Sequence, residues 1–131
     1  IELSAYGEYD FLGHIDLIKR HLVRCGFPVE YERYESYIDQ ILKNVISRGK
    51  GIEVNTSGIR QGAGEPMPGL RTLKRYKELG GEIVTVGSDS HKPADVAADF
   101  EEAAKLLVQA GFDHVTAYER RRPVPGCNLI K

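Results

Sequence analysis

Two residues spaced for metal binding, Asp89 and His91, follow an apolar run of the chain. In extended backbone, residues two apart point to the same side, so this carboxylate and this imidazole can converge on one or two ions. His14, which follows a different apolar run and has Asp16 near it, can supply a third ligand. Carboxylates and imidazoles together suit borderline divalent ions such as zinc, manganese or iron. The pattern therefore indicates a metal site formed by His14, Asp89 and His91.

A structural interpretation of the same residues stays open. An Asp-x-His sequence commonly forms a capped turn, and a single histidine after a glycine is commonly a structural residue. The other two histidines, His21 and His114, have the positions of ordinary helix and strand-start residues. From the residues alone, the metal site and the capped turn are both admissible.

Basic residues near these positions indicate a ligand that carries phosphate. Arg60 follows the glycine-bearing turn at residues 55–58, and Arg20 or Lys19 lies about one helical turn beyond the segment of His14. A guanidinium presents a fork of donors that matches two phosphate oxygens. The alternative is a surface salt bridge, an interpretation that suits Lys19 better than Arg60.

Glu53 and Asn55 share one face of the predicted second strand. If that face is the interior of a barrel, a buried carboxylate needs a partner or a raised pKa. Glu53 could support bound metals from behind or pair with a basic residue, and structural pairing is the favoured interpretation.

The elements that position these residues alternate between short apolar runs and amphipathic stretches. Strands are predicted at residues 11–15, 51–54, 82–86 and 114–118, and helices at 34–47, 70–79 and 94–110. This alternation predicts right-handed βαβ units, and hence an α/β fold with about four parallel strands. Polar residues follow three successive strands, and the carboxyl ends of parallel strands are where α/β folds place their sites.

Composition excludes several classes of partner. The 131 residues carry a net charge of −1, with 18 basic and 19 acidic residues interspersed. No one-sided positive field is present, so we expect no nucleic-acid partner. No stretch approaches the roughly 20 apolar residues that span a membrane, so we expect no membrane partner. The two cysteines, Cys25 and Cys127, form no Cys-x-x-Cys pair, which favours a reducing cytoplasm.

Three segments together resemble a known family. Residues 12–20, 53–60 and 87–93 read LGHIDLIKR, EVNTSGIR and GSDSHKP. They resemble the later motifs of PHP-domain histidinol phosphatases, and the closing segments 111–113 and 118–124 are similar to the C-terminal end of that family. The resemblance extends over essentially the whole chain, so residues 1–131 are interpreted as a single partial PHP domain.

The resemblance implies a distorted, TIM-like β/α barrel that holds up to three divalent metal ions. The implied reaction is hydrolysis of a small-molecule phosphate ester, L-histidinol phosphate, to L-histidinol and phosphate in histidine biosynthesis. By motif match, His14, Asp89 and His91 are the implied metal ligands, and Asp89 and His91 the catalytic residues. Arg60, and with it Arg20, is implied to contact the substrate phosphate.

The chain also departs from the family pattern. PHP proteins open with a His-x-His motif, and none of the four histidines here forms one. We therefore expect a C-terminal piece that is weak or inactive alone, with open barrel edges that favour a homodimer. Two alternatives stay open: a PHP-class phosphoesterase acting on another phosphomonoester or a nucleotide, and a non-catalytic half-barrel that self-associates.

Overall fold

A computed structural model of the chain describes residues 1–6 and 8–129. The helices are α1 (Glu2–Tyr6), α2 (Ile18–Arg24), α3 (Glu35–Ser47), α4 (Ser57–Arg60), α5 (Leu70–Glu78) and α6 (Phe100–Gln109). The strands are β1 (Phe11–Leu12), β2 (Gly51–Asn55), β3 (Val84–Gly87), β4 (His114–Glu119) and β5 (Arg122–Asn128). Two 3-10 helices span Tyr31–Arg33 and Pro93–Asp95.

The first three strands form one parallel sheet with β2 in the middle. The register aligns Leu12 with Ile52 on one side and Asn55 with Gly87 on the other. Because the three strands run in the same direction, the segments that follow them leave the sheet at one edge. The predicted α/β fold with a parallel sheet is confirmed.

The predicted fourth parallel strand is wrong. The β4 strand pairs antiparallel with β5, a strand that was not predicted, in a separate two-stranded sheet. Arg120 and Arg121 connect them with positive φ angles of 48° and 66°, the backbone of a tight hairpin turn. Such a turn reverses the chain within two residues, so β4 pairs with the strand that follows it. The β4 strand still contacts β3, since the amide of Val84 donates to the Thr116 hydroxyl at 3.3 Å.

The core lies between one face of the parallel sheet and helices α3, α5 and α6. Ile52, Val54 and Val84 of the sheet belong to one buried cluster with residues of the three helices. Helix α3 contributes Ile38, Leu42 and Val45. Tyr76 of α5 stacks on Phe112 with ring centroids 6.2 Å apart, and its hydroxyl donates to the Ile83 carbonyl. Burial raises the pKa of the Tyr76 phenol well above its usual range.

Helix α6 begins at Phe100, later than the predicted start at residue 94. The preceding segment holds a 3-10 helix and two residues, Ala97 and Asp99, with positive φ. Two side chains from residues 56–60, which follow β2, bind this segment. The Thr56 hydroxyl donates to the Ala98 carbonyl at 2.7 Å, and Arg60 donates to the Asp99 carboxylate at 2.9 Å. These tertiary contacts explain why residues 94–99 do not join the helix.

Among residues 1–6 and 8–129, no helix combines the length and the apolar character that crossing a membrane requires.

Leu42→Ala tests the packing of α3 on the sheet. Leu42 is fully buried, so truncation leaves a cavity, and we expect the free energy of unfolding to fall by about 2–5 kcal/mol. Urea denaturation measures the change. The control is Gln40→Ala on the exposed side of the same helix, which we expect to change stability by less than about 0.5 kcal/mol. Equal stability of the two variants would contradict the described packing.

Candidate functional site

The site predicted from sequence lies on the segments that follow β1, β2 and β3. Two of the three predicted metal ligands, His14 and Asp89, have positive φ angles of 29° and 47°. Residues with a side chain rarely adopt this backbone, although histidine and aspartate do so more often than most. Where such conformations persist, the surrounding structure holds them, and they concentrate at binding and catalytic sites.

Asp89 and His91 lie side by side, as predicted. The Nδ1 atom of His91 is 3.9 Å from Oδ1 of Asp89 and 2.9 Å from the Asp89 main-chain carbonyl oxygen. The His91 side chain is 78% exposed and that of Asp89 is 30% exposed. The expected reason for their proximity was an extended backbone, whereas the observed backbone turns at Asp89. The pair therefore faces solvent at the edge of the sheet, open to a ligand.

The donor chemistry of this pair fits a divalent metal, because carboxylate oxygen and imidazole nitrogen are ordinary ligands of zinc, manganese and iron. In the described part of the chain, however, no group of three or more His, Cys, Asp and Glu side chains lies close enough to hold an ion. The structure brings Asp89 and His91 together. The participation of His14 as a third ligand stays a prediction.

Behind Asp89 lies a buried polar network from β2 and α4. Ser57 donates both its amide (3.0 Å) and its hydroxyl (2.6 Å) to Oδ1 of Asn55. The same hydroxyl lies 3.3 Å from Oδ2 of Asp89. The Asn55 amide nitrogen donates to Glu53 at 3.1 Å. Sequence reasoning missed Ser57, and its signal was the polar Asn-Thr-Ser-Gly run that directly follows an apolar strand.

Arg60 contacts the segment that carries Asp89. Its guanidinium donates to the Ser88 carbonyl at 2.6 Å and to the Asp99 carboxylate at 2.9 Å. The side chain is 22% exposed, and the Asp95 carboxylate lies at 4.0 Å from its Nε. The resemblance of the sequence motifs implies that Arg60 contacts a substrate phosphate. In this structure its fork already binds protein acceptors, so a phosphate would share or replace Asp99.

Arg20 and Lys19 at the start of α2 bind the loop that follows α4. Arg20 donates to the side-chain oxygen of Gln61, the residue after Arg60. The Arg20 Nε is buried and has no hydrogen-bond partner among the described residues. The structure therefore places Arg20 beside the segment of Arg60, and the binding of a phosphate by these two residues stays a prediction.

Lys19 forms a salt bridge, as the alternative interpretation expected, but its side chain is buried and does not lie at the surface. Its side chain is only 11% exposed, and its ammonium lies 2.9 Å from the Glu65 carboxylate and 3.1 Å from that of Asp16. Burial raises the pKa of Asp16, while the Lys19 charge acts in the opposite direction. Asp16 is two residues from His14, so Lys19 joins the loop after β1 to the loop after α4.

A cavity of about 310 Å³ adjoins this ion cluster. Its walls include Asp16, Lys19, Tyr31, Tyr34 and Glu65. Its lining does not include His14, Asp89 or His91. The cavity is therefore separate from the predicted metal ligands.

Comparisons with known proteins give the relationship of the chain. No family model matches it. A probable histidinol-phosphatase of Clostridium acetobutylicum is 40% identical over 120 residues, which cover 91% of this chain and 46% of that protein. A probable histidinol-phosphatase of Deinococcus radiodurans is 30% identical over 115 residues, which cover 88% of this chain and 41% of that protein. This chain is a relative of the histidinol-phosphatases. It spans less than half the length of these curated relatives.

A solved structure gives the fold independently. Histidinol phosphate phosphatase from Lactococcus lactis subsp. lactis, complexed with zinc, L-histidinol and phosphate, matches with a TM-score of 0.71. The match covers 93% of this chain and 46% of that one, at 20% sequence identity. At this identity the match shows the fold alone. The resemblance to histidinol-phosphatases predicted from the three sequence motifs is confirmed by the curated relatives.

Lys19→Met tests the connection between the two loops. The change leaves two carboxylates without their shared cation, and we expect the free energy of unfolding to fall by about 3 kcal/mol. This is the lower end of the range for a broken buried pair, because the Glu65 side chain is 46% exposed. Urea denaturation is the measurement.

The control for Lys19→Met is Lys105→Met. Lys105 pairs with Glu102 on the exposed face of α6, where an ion pair contributes little. We expect its unfolding midpoint to equal that of the wild type. If both lysine variants behave alike, Lys19 does not join the loops as described.

Proposed function

We propose that this chain is part of a metal-dependent phosphomonoesterase that hydrolyses L-histidinol phosphate to L-histidinol and phosphate, in histidine biosynthesis. The observation that carries the proposal is the 40% identity to a probable histidinol-phosphatase over 91% of this chain. The geometry of the carboxyl edge supports it, because Asp89 and His91 lie together with the Arg60 and Arg20 segments nearby.

The proposed metal ligands from this chain are His14, Asp89 and His91. The structural neighbour from Lactococcus lactis is complexed with zinc, and zinc, manganese or iron would suit this donor set. A divalent ion bound there would neutralise charge on the phosphate and supply a reactive water at neutral pH. Asp89 and His91 would hold the ion, and their exposure would leave room for a phosphate oxygen beside it.

The proposed role of Arg60 and Arg20 is to bind the phosphate. Arg60 is held by Ser88 and Asp99, so its fork is fixed next to Asp89 before a substrate arrives. The Nε–H of Arg20 is a buried donor without an acceptor among the described residues, and a phosphate oxygen would supply the acceptor that it lacks. A small phosphate ester is therefore the proposed partner, and no nucleic acid is.

We further propose that residues 1–131 form part of a TIM-like barrel of the PHP class and contribute part of its metal site. Two observations support this: the chain spans less than half of its curated relatives, and the described residues assemble no three-ligand group. Hydrolysis by the chain alone should then be weak. The proposed location is the cytoplasm, where the exposed, unpaired Cys25 and Cys127 would stay reduced.

A non-catalytic half-barrel that self-associates is the second candidate. It is favoured by exposed apolar side chains near the first strand, including Leu3 (68% exposed), Tyr6 (74%) and Phe11 (38%). In the described residues β1 pairs only with β2, which leaves its other edge open to a second copy. A stable dimer without metal binding or hydrolysis would support this candidate over the first.

An assay of L-histidinol phosphate hydrolysis tests the proposal. Phosphate release is measured with added Mn²⁺ or Zn²⁺. It is measured on this chain and on a full-length protein that contains it. We expect Arg60→Ala to raise KM roughly 10- to 100-fold, the effect of losing a charge-assisted hydrogen bond to phosphate. We expect Asp89→Asn to lower metal content and kcat together.

The matched control for these variants is Ser47→Ala, at the end of α3, whose hydroxyl donates to the Asn44 carbonyl far from the site. It should leave KM and kcat unchanged. A full-length protein that binds metal but hydrolyses only other phosphomonoesters would contradict the substrate. Unchanged kinetics in Arg60→Ala would remove Arg60 from the substrate-binding residues.

A further inference from the structure

A continuous line of hydrogen-bonding groups connects Glu53, on the middle strand, to Asp89 at the edge of the sheet. From Glu53 Oε2 to Asn55 Nδ2 the distance is 3.1 Å, and from Asn55 Oδ1 to Ser57 Oγ it is 2.6 Å. From Ser57 Oγ to Asp89 Oδ2 it is 3.3 Å. Asn55 and Ser57 are 2% and 0% exposed, so water does not compete for these bonds.

The orientation of each group follows from Glu53. An ionised carboxylate only accepts hydrogen bonds, so Asn55 must turn its NH₂ group toward Glu53 and its oxygen toward Ser57. That oxygen receives the amide hydrogen of Ser57 as well as its hydroxyl hydrogen. Ser57 is thereby fixed at two atoms. Its one hydroxyl hydrogen is shared by two acceptors, Asn55 Oδ1 at 2.6 Å and Asp89 Oδ2 at 3.3 Å, so the longer branch of this bond reaches Asp89.

The strands on both sides leave space for the Glu53 carboxylate. A Cβ atom at Gly13 would lie 3.1 Å from Glu53 Oε2, and a Cβ at Gly87 would overlap Oε1. Residue 87 must therefore be glycine for the Glu53 carboxylate to lie where it does. Gly87 and Gly13 are also the residues from which the chain leaves toward Asp89 and His14 respectively.

We propose that Glu53 is a positioning residue that acts through Asn55 and Ser57 to hold the Asp89 carboxylate in one orientation. The inference rests on the proposed function, in which Asp89 is a metal ligand. Asp89 is 30% exposed at a backbone turn of positive φ, and its neighbour His91 is 78% exposed, so the surface side of the site restrains it little. Together with the Arg60 bond to the adjacent Ser88 carbonyl, the buried network supplies the restraint.

Two substitutions break the network at different points. Glu53→Gln keeps the size of the side chain but adds a donor, so Asn55 is free to flip and Ser57 loses its fixed acceptor. Ser57→Ala removes only the hydroxyl that contacts Asp89 and keeps the Ser57 amide bond to Asn55. The matched controls are Glu102→Gln on the exposed face of α6 and Ser47→Ala at the end of α3.

The Hα–Hβ scalar couplings of Asp89, measured by NMR on the whole chain without added metal, report whether its χ1 angle holds one rotamer. We expect a single rotamer in the wild type and both controls, and rotamer-averaged couplings in both network variants. In the wild type, the Asn55 side-chain amide hydrogens should exchange slowly with solvent. This last measurement keeps Glu53 testable if Glu53→Gln does not fold.

Averaged couplings in the wild type, or a single Asp89 rotamer in either network variant, would overturn the inference. So would rapid exchange of the Asn55 amide hydrogens.

A Mn²⁺ titration, monitored by electron paramagnetic resonance, separates this inference from the proposed function. If the wild type binds Mn²⁺, both variants should bind it roughly 10-fold more weakly, as loss of an outer hydrogen bond predicts, and unchanged affinity would overturn the inference. If the wild type binds none, the proposed metal site is contradicted, and the rotamer data still decide the role of Glu53.

Discussion

The candidate site depends on the parallel pairing of β2 with both β1 and β3. In this pairing Asn55 is the register partner of Gly87. The segment that carries Asp89 therefore begins beside the start of α4. It also brings the segment of His14 to the same edge. A shift of β2 by one residue against its neighbours would turn Glu53 and Asn55 into the hydrophobic core and Val54 out of it. The buried positions of Ile52, Val54 and Val84 against three helices fix the register, so the packing of the core determines the geometry of the polar edge.

The loops at this edge are held by ionic and polar contacts that sequence reasoning assigned differently. Lys19 lies between two carboxylates that belong to different loops, and Arg60 binds both Ser88 and Asp99. Buried charges need partners, and these pairs satisfy that requirement while restricting the loops. The same arginine can serve structure and substrate, because a guanidinium has five donors and the protein uses only some of them.

Much of the architecture was predictable from local patterns. The three parallel strands have apolar runs of strand length, and α3 has a clear stripe formed by Ile38, Leu42 and Val45. The hairpin was not predictable in the same way. Arg120 and Arg121 at its turn give none of the Asn-Gly or Asp-Gly signal that marks such turns. Two prolines in β5, Pro123 and Pro125, argue locally against a strand. They are tolerated because, among the residues that the structure describes, β5 pairs with β4 alone.

The types of residue in the site, and their location at the ends of strands, were predictable from the sequence. Proximity of Asp89 and His91 followed from their spacing, but the turn at Asp89 and the late start of α6 did not. Both depend on contacts with Thr56 and Arg60, some 30 to 40 residues away in sequence, which no local pattern encodes. Ser57 was missed for the same reason, since its significance comes from Asp89 on a different strand end.

X-ray absorption at the zinc edge tests the central claim, that the carboxyl edge of this sheet forms part of a metal site. The sample is the zinc-loaded full-length protein that contains this chain, compared with its Asp89→Ala variant. The account predicts a first shell of imidazole nitrogen and carboxylate oxygen in the wild type, with fewer oxygen ligands or no bound zinc in the variant. An identical first shell and zinc content in both proteins would contradict the account, because Asp89 would then not be a ligand.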